Sequence, residues 1–229
     1  MRTMGKTLLA AAVVIAGSLP VSATTLFSNP FDGERGGSCT FECRDAIGAE
    51  NFTLTDNSLI ETVSFDAYLS NWANPIGMTV SWSLMSDDGA KPGSVLASGT
   101  AAPTHQKRGQ VPDNFTHVTF TLDIVDTLLG AGEYWLTLAV DTPMADHAVY
   151  WARTRSGDMI NSRSMDGGAT WDQRYARSWG GFVFSVDGQS GVAPAAAAAA
   201  VPLPAALPML GLGVGVLAAA GARRRRRRA

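Results

Sequence analysis

The chain has 229 residues, 46% of them hydrophobic, two cysteines and a formal net charge of −2. That near-neutrality hides an uneven distribution. All 20 acidic residues fall between Asp32 and Asp187, while Arg2 and Lys6 stand at the front and Arg223–Arg228 at the back, so ten of the 18 bases stay with the middle and its charge is near −10. An acidic body argues against nucleic acid and anionic lipid as partners, because both require positive potential.

The chain opens "MRTMGKTLLAAAVVIAGSLPVSA". Two bases precede the apolar run Leu8–Ala16, and Val21-Ser22-Ala23 is a small-x-small cleavage pattern. Residues 1–23 therefore read as a secretory signal peptide, with cleavage expected between Ala23 and Thr24. The body from Thr24 to residue 190 is long enough for one domain with a full core. Export places Cys39 and Cys43 in an oxidising compartment, where a disulfide is the leading reading. In an extended strand residues i and i+4 lie roughly 13 Å apart, so the pair requires a turn at Thr40–Glu42. No neighbouring His completes a metal site there.

The dominant period in the body is two. "ETVSFDAYL" puts Val63, Phe65, Ala67 and Leu69 on one face, and "MTVSWSLM" does so for Met78, Val80, Trp82 and Leu84. "HVTFTLDI" aligns Val118, Phe120 and Leu122, "EYWLTLAV" Tyr134, Leu136, Leu138 and Val140, and "GGFVFSVDG" Phe182, Phe184 and Val186. This is the spacing of half-buried strands, broken by Gly, Pro, Asp and Asn. Ile124–Leu129 is the one weak helical candidate, short enough to be a turn between strands. Eight to ten strands with little helix predict an all-β fold, a β-sandwich of jelly-roll-like form. In "MSDDGAKPGSVLASGT", Asp88-Gly89 predicts a hairpin turn and Pro92-Gly93 its closure.

The sharpest body motif is "SMDGGATW", which fits the Asp-box pattern S-x-D-x-G-x-T-W through Ser164, Asp166, Gly168, Thr170 and Trp171. Its logic is a tight hairpin. Asp166 accepts from N–H groups of its own turn, Gly168 takes a conformation closed to other residues, and Trp171 packs beneath. Asp-boxes are familiar from sialidase-type propellers, but one copy in a body half the size needed for six blades favours a structural hairpin.

His105, His117 and His147 show no metal-ligand spacing, and His117 reads as a surface or edge residue. No G-x-S-x-G or P-loop occurs, so neither catalytic nor metal-ligating residues are assigned. Calcium is the one cofactor that Asp87-Asp88 and the stretch Asp141–Asp146 leave open, without the oxygen spacing of a known loop. Carboxylates are plentiful enough that a glycosidase pair stays open too. Six tryptophans suggest another use. Trp82 and Trp135 read as core. Trp151, Trp171 and Trp179 flank the Asp-box turn in sequence and are candidates for stacking on glycan rings. Stacking rather than charge is the expected source of affinity, since an acidic body repels acidic polymers unless calcium bridges them.

Residues 191–204, "GVAPAAAAAAVPLP", form an Ala/Pro spacer that runs into the next motif. From Ala205 to Ala222 there is no charge. As a helix this stretch spans roughly 27 Å, near the minimum for a bilayer core. Residues 223–229 hold six arginines, which the positive-inside rule keeps on the cytoplasmic side. Val201-Pro202-Leu203-Pro204-Ala205, an apolar helix and an Arg cluster, in that order, resemble the VPLPA-CTERM form of the PEP-CTERM sorting signals. The resemblance covers about the last 29 residues. It implies a Gram-negative host, an exosortase-type enzyme as partner, transient anchoring in the inner membrane, and release or re-attachment outside, often beside exopolysaccharide. The phrase Asp87-Asp88-Gly89, Pro92-Gly93 and Leu96-Ala97-Ser98-Gly99 also resembles hairpins of secreted β-sandwich domains, including PEP-CTERM-type cargo. The expectation is an exported, non-catalytic surface or matrix protein. The alternative is a carbohydrate-binding module or a small glycoside hydrolase.

Overall fold

In the computed structural model, residues 23–33, 37–38, 46–70, 75–111, 114–141, 149–155, 160–172 and 180–193 are described. The signal peptide up to residue 22, Cys39, Cys43, Trp179, the sorting motif Val201–Ala205, the apolar stretch and the arginine tail lie outside them. The described residues form thirteen strands and no helix. They are β1 (Thr24–Asn29), β2 (Gly37–Ser38), β3 (Ile47–Leu54), β4 (Ser58–Ser70), β5 (Thr79–Asp87), β6 (Pro92–Ala101) and β7 (Thr104–Val111). After these come β8 (Phe115–Leu129), β9 (Gly132–Asp141), β10 (Val149–Thr154), β11 (Asn161–Ser164), β12 (Gly181–Phe182) and β13 (Phe184–Ser190).

The strands make two antiparallel sheets. One has five strands in the order β11-β3-β9-β5-β6. The other has eight, and β4 is its spine. Along one edge β4 pairs with β8 from Ser58 to Ser70. Its other edge is shared, by β13 up to Phe65 and by β10 from Ala67. The backbone of Val183 stitches this junction: its carbonyl accepts from Asp66 N–H at 3.3 Å and its N–H donates to Ala152 O at 3.0 Å.

The period-two faces become the core. Val63, Phe65, Ala67 and Leu69 of β4 are buried, as are Val118, Phe120 and Leu122 of β8. They pack against Phe52, Val80, Trp82, Leu84, Leu136 and Leu138 of the smaller sheet. Phe52 meets Phe184 edge-on across the interior at 6.3 Å. Two sheets facing each other over one apolar layer is the arrangement of a β-sandwich. Ile124–Leu129 is no helix or turn: it extends β8, where Thr127–Leu129 pair with Ser58–Ile60 beyond a bulge of β8 that sets residues 124–126 against Glu61. Antiparallel partners on β4 hold Thr127–Leu129 in place, whereas a helix of six residues would be too short to stand alone. The β5–β6 hairpin turns at Gly89 and Ala90, both at φ 65°, and Asp88 N–H donates to Lys91 O at 2.9 Å. Positive φ at both central residues is the hairpin geometry that matches strand twist. Pro92 is already the first residue of the edge strand β6, where its missing N–H does no harm.

One end of the sandwich is closed by polar groups. Glu50, 1% exposed, points inward from β3 and accepts from Phe182 N–H of the opposite sheet at 2.8 Å. Asn29 Nδ2 donates to Phe182 O at 2.7 Å and Asn161 Nδ2 to Gly180 O at 2.7 Å. Arg153 lies over the Phe182 ring at 5.4 Å, and Phe182 stacks flat on Trp151 at 4.4 Å. Burial pushes the Arg153 guanidinium below its ordinary value, and the Glu50 carboxylate pulls it part of the way back. Removing Glu50 takes the acceptor from a buried amide and the charge that offsets the burial of Arg153. Glu50→Ala is expected to cost about 3–5 kcal/mol and lower Tm by on the order of 10 °C. Glu50→Gln, which keeps an acceptor for Phe182, should fall in between. Equal melting of wild type and Glu50→Ala by calorimetry would remove the carboxylate from its place in the fold.

Candidate functional site

The Asp-box turn joins β11 to an isolated bridge between Arg163 and Asp172. Two backbone bonds close it, Arg163 N–H to Asp172 O at 3.1 Å and Asp172 N–H to Arg163 O at 2.8 Å. Inside, Asp166 Oδ1 accepts from Thr170 N–H at 2.8 Å and from Ser164 Oγ at 2.7 Å, and Oδ2 accepts from Thr170 Oγ1 at 2.6 Å. Ser164 Oγ in turn accepts from Gly168 N–H at 2.7 Å. Gly168 sits at φ 93°, a conformation that a side chain resists. Trp171 is half-buried and packs on Ala49, Met85 and Trp135, on the outer face of the five-stranded sheet. The motif is thus a lid over a second small core, and its carboxylate serves its own turn.

A groove of about 730 Å³ runs between this turn and the β5–β6 hairpin, lined by Asp87, Asp88, Lys91, Thr170 and Trp171 among others. Its acidic groups have partners: Asp87 Oδ1 accepts from Trp135 Nε1 at 2.8 Å, and Asp88 pairs with Lys91 at 3.2 Å.

The three stacking candidates do not share one surface. Trp151 is 0% exposed. Its indole stacks on Phe182, meets Phe65 and Phe184 edge-on, and donates from Nε1 to Val183 O at 2.9 Å. It is a core residue and is closed to any glycan, because β10 lies inside the sheet and is covered on both faces. Trp171 keeps one accessible side, and Trp179 lies outside the described residues.

A second cleft, about 500 Å³, opens on the outer face of the eight-stranded sheet, and no sequence motif announces it. Its floor is set by strand register. Ser28 pairs with Ser185, Ser185 with Ser64, Ser64 with Thr121 and Thr121 with Thr104. Five hydroxyl residues from five adjacent strands therefore stand in one row, about 4.8 Å apart. A second row holds Asp66, Thr119 and Gln106. Asp66 Oδ1 accepts from Thr119 Oγ1 at 2.6 Å, and Asp66 Oδ2 lies 2.9 Å from His117 Nε2. His117 is 8% exposed, not the surface residue its strand position suggested. Phe31 and Tyr68 pack on its ring at 4.6 and 5.5 Å, because the segment after β1 folds back over the sheet.

The turn generates a pH signature. The Thr170 hydroxyl, the Thr170 N–H and the Ser164 hydroxyl, in that order, hold the Asp166 carboxyl down to about 2 from an ordinary 3.8. A carboxyl depressed in the folded state contributes its stability in full above the unfolded value, and loses it as pH falls from 3.8 through about 2. Asp166→Asn is expected to flatten the acid limb of the stability profile in that window. A carboxyl titration followed by NMR should place Asp166 near 2, and a midpoint near 3.8 would mean that the turn does not grip it.

Set against known protein families and against curated proteins, the chain matches none.

Proposed function

We propose that the protein is an exported, non-catalytic surface or matrix protein. A C-terminal exosortase-type signal sorts it, and its jelly-roll-like body meets polysaccharide outside the cell. The carrying observation is the order of Val201-Pro202-Leu203-Pro204-Ala205, the uncharged stretch to Ala222 and Arg223–Arg228. Such a stretch suits a bilayer core and such a cluster resists crossing it. The signal peptide at the other end supplies the route into the same membrane. Partners under this reading are the sorting enzyme, the inner membrane for a time, and polysaccharide.

The body's chemistry supports binding over hydrolysis. Glycoside hydrolysis requires two carboxylates facing a bond between them. Of the carboxylates lining the two clefts, Asp66 is engaged by Thr119 and His117, Asp87 by Trp135 and Asp88 by Lys91, while Asp166 serves its own turn and Glu50 is sealed between the sheets. The hydroxyl row, by contrast, is open to a ligand.

Mass spectrometry of the protein recovered from the cell surface or medium tests the route. The expected mature form starts at Thr24 and lacks Arg223–Arg228. A secreted form that retains those arginines would defeat the sorting claim.

A further inference from the structure

The acidity of the body is not evenly spread. From Gly89 to Val111 the chain carries Lys91, Lys107 and Arg108 and no acidic residue. This segment supplies both β6 and β7, and β7 is an exposed edge of the eight-stranded sheet. The outer-face cleft lies against that edge, with Arg108 and Gln106 among its lining. Lys91 belongs to the other groove and pairs with Asp88, so the cation of this cleft is Arg108, while the Asp66 carboxylate in the same lining is engaged by Thr119 and His117.

The hydrogen bonds fix how Arg108 stands there. Thr119 has one hydroxyl proton, and it goes to Asp66 Oδ1. Its oxygen is left to accept from Arg108 Nε–H, at 2.8 Å. That bond orients the guanidinium, and its two Nη groups remain as a planar pair of donors with no partner among the described residues. A planar donor pair matches a carboxylate in a way a lysine cannot. Beside it runs the row Ser185, Ser64, Thr121 and Thr104. Ser185 Oγ gives its proton to Asp187 Oδ2 at 3.0 Å and Thr104 Oγ1 to Thr121 O at 3.4 Å, so the row meets a ligand mainly with acceptor lone pairs. Ser64 Oγ and Thr121 Oγ1 already touch at 2.9 Å, so the row is ordered before any ligand arrives.

The geometry points to a saccharide-binding site for carboxylate-bearing sugars, with Arg108 on the carboxylate and the hydroxyl row on the sugar hydroxyls. The site departs from the expectation that acidic polymers are repelled, because one oriented guanidinium and not the net charge would hold the carboxylate. It rests on the reading that the body meets polysaccharide, and it names the kind.

The test uses the full chain in detergent, titrated calorimetrically with oligogalacturonate and, separately, with neutral cello-oligosaccharide. Oligogalacturonate should bind more tightly, and less so at high salt. Arg108→Gln, on an exposed edge strand, should weaken oligogalacturonate at least tenfold and leave the neutral sugar unchanged. Ser64→Ala with Thr121→Val should weaken both. Equal affinity for the two sugars, or an unaltered Arg108→Gln, would overturn the acidic-sugar site and leave polysaccharide contact standing. Loss of binding in Trp171→Ala with Arg108→Gln unaffected would move the ligand to the Asp-box groove and overturn it likewise. Binding of neither sugar would overturn the site and remove the present support for polysaccharide contact as well.

Discussion

A carboxylate placed between two sheets must be given partners from both, and the position of Glu50 governs how this molecule closes. It leaves β3 in the five-stranded sheet and ends on Phe182 N–H in the eight-stranded one. That bond, with Asn29 on the Phe182 carbonyl and the pairing to β10, holds β12 in place, and β12 carries the ring on which Trp151 and Arg153 stack. The glycines before it follow from the same constraint. A Cβ on Gly181 would stand 2.7 Å from Asn29 Nδ2 and 2.9 Å from Glu50 Oε1. One on Gly180, at φ 80°, would run into the backbone of Thr154. The phrase Gly180-Gly181-Phe182 is therefore the seat of a buried polar cluster as well as the start of a strand. Replacing such a cluster by apolar groups is often tolerated in principle, but here its members also orient two aromatic rings, Phe182 and Trp151.

What the sequence made legible was local. Period-two runs located the strands, because a sheet with one wet face imposes that rhythm. The Asp-box turn was legible because all its partners lie within eight residues. Trp151 escaped the same logic. In "VYWART" the strand is buried almost throughout, covered inside by the main core and outside by Tyr68, Val183 and Tyr150. A strand covered on both faces has no alternation to betray it, so an interior indole looked like an exposed one. Ile124–Leu129 misled for a related reason. Its apolar residues fall on both sides of a strand that is itself bulged against β4.

The outer-face cleft was invisible for a deeper cause. Ser28 and Ser185 are neighbours only because β1 pairs with the last strand of the sheet. Each serine or threonine of the row, taken in its own strand, is an ordinary solvent-facing residue. The row exists only as register across five strands, and register is a property of the folded sheet. The same holds for His117, whose burial depends on a segment that crosses the sheet from β1.

The two outer faces thus have opposite fates. The five-stranded sheet has its outer face roofed by the Asp-box loop, with Trp171 resting on Ala49, Met85 and Trp135. Among the described residues, the eight-stranded sheet is roofed at one end, by Phe31 and its neighbours, with the hydroxyl row and Arg108 beside that roof. Groups held on paired strands surrender little freedom when a ligand arrives, unlike groups on a loop. Lys107 and Arg108 have a second effect there, since charge on an edge strand opposes pairing with another sheet. One stretch of β7 therefore opposes pairing at the edge and supplies the cleft with its cation, Arg108, held by Thr119 beside the carboxylate of Asp66.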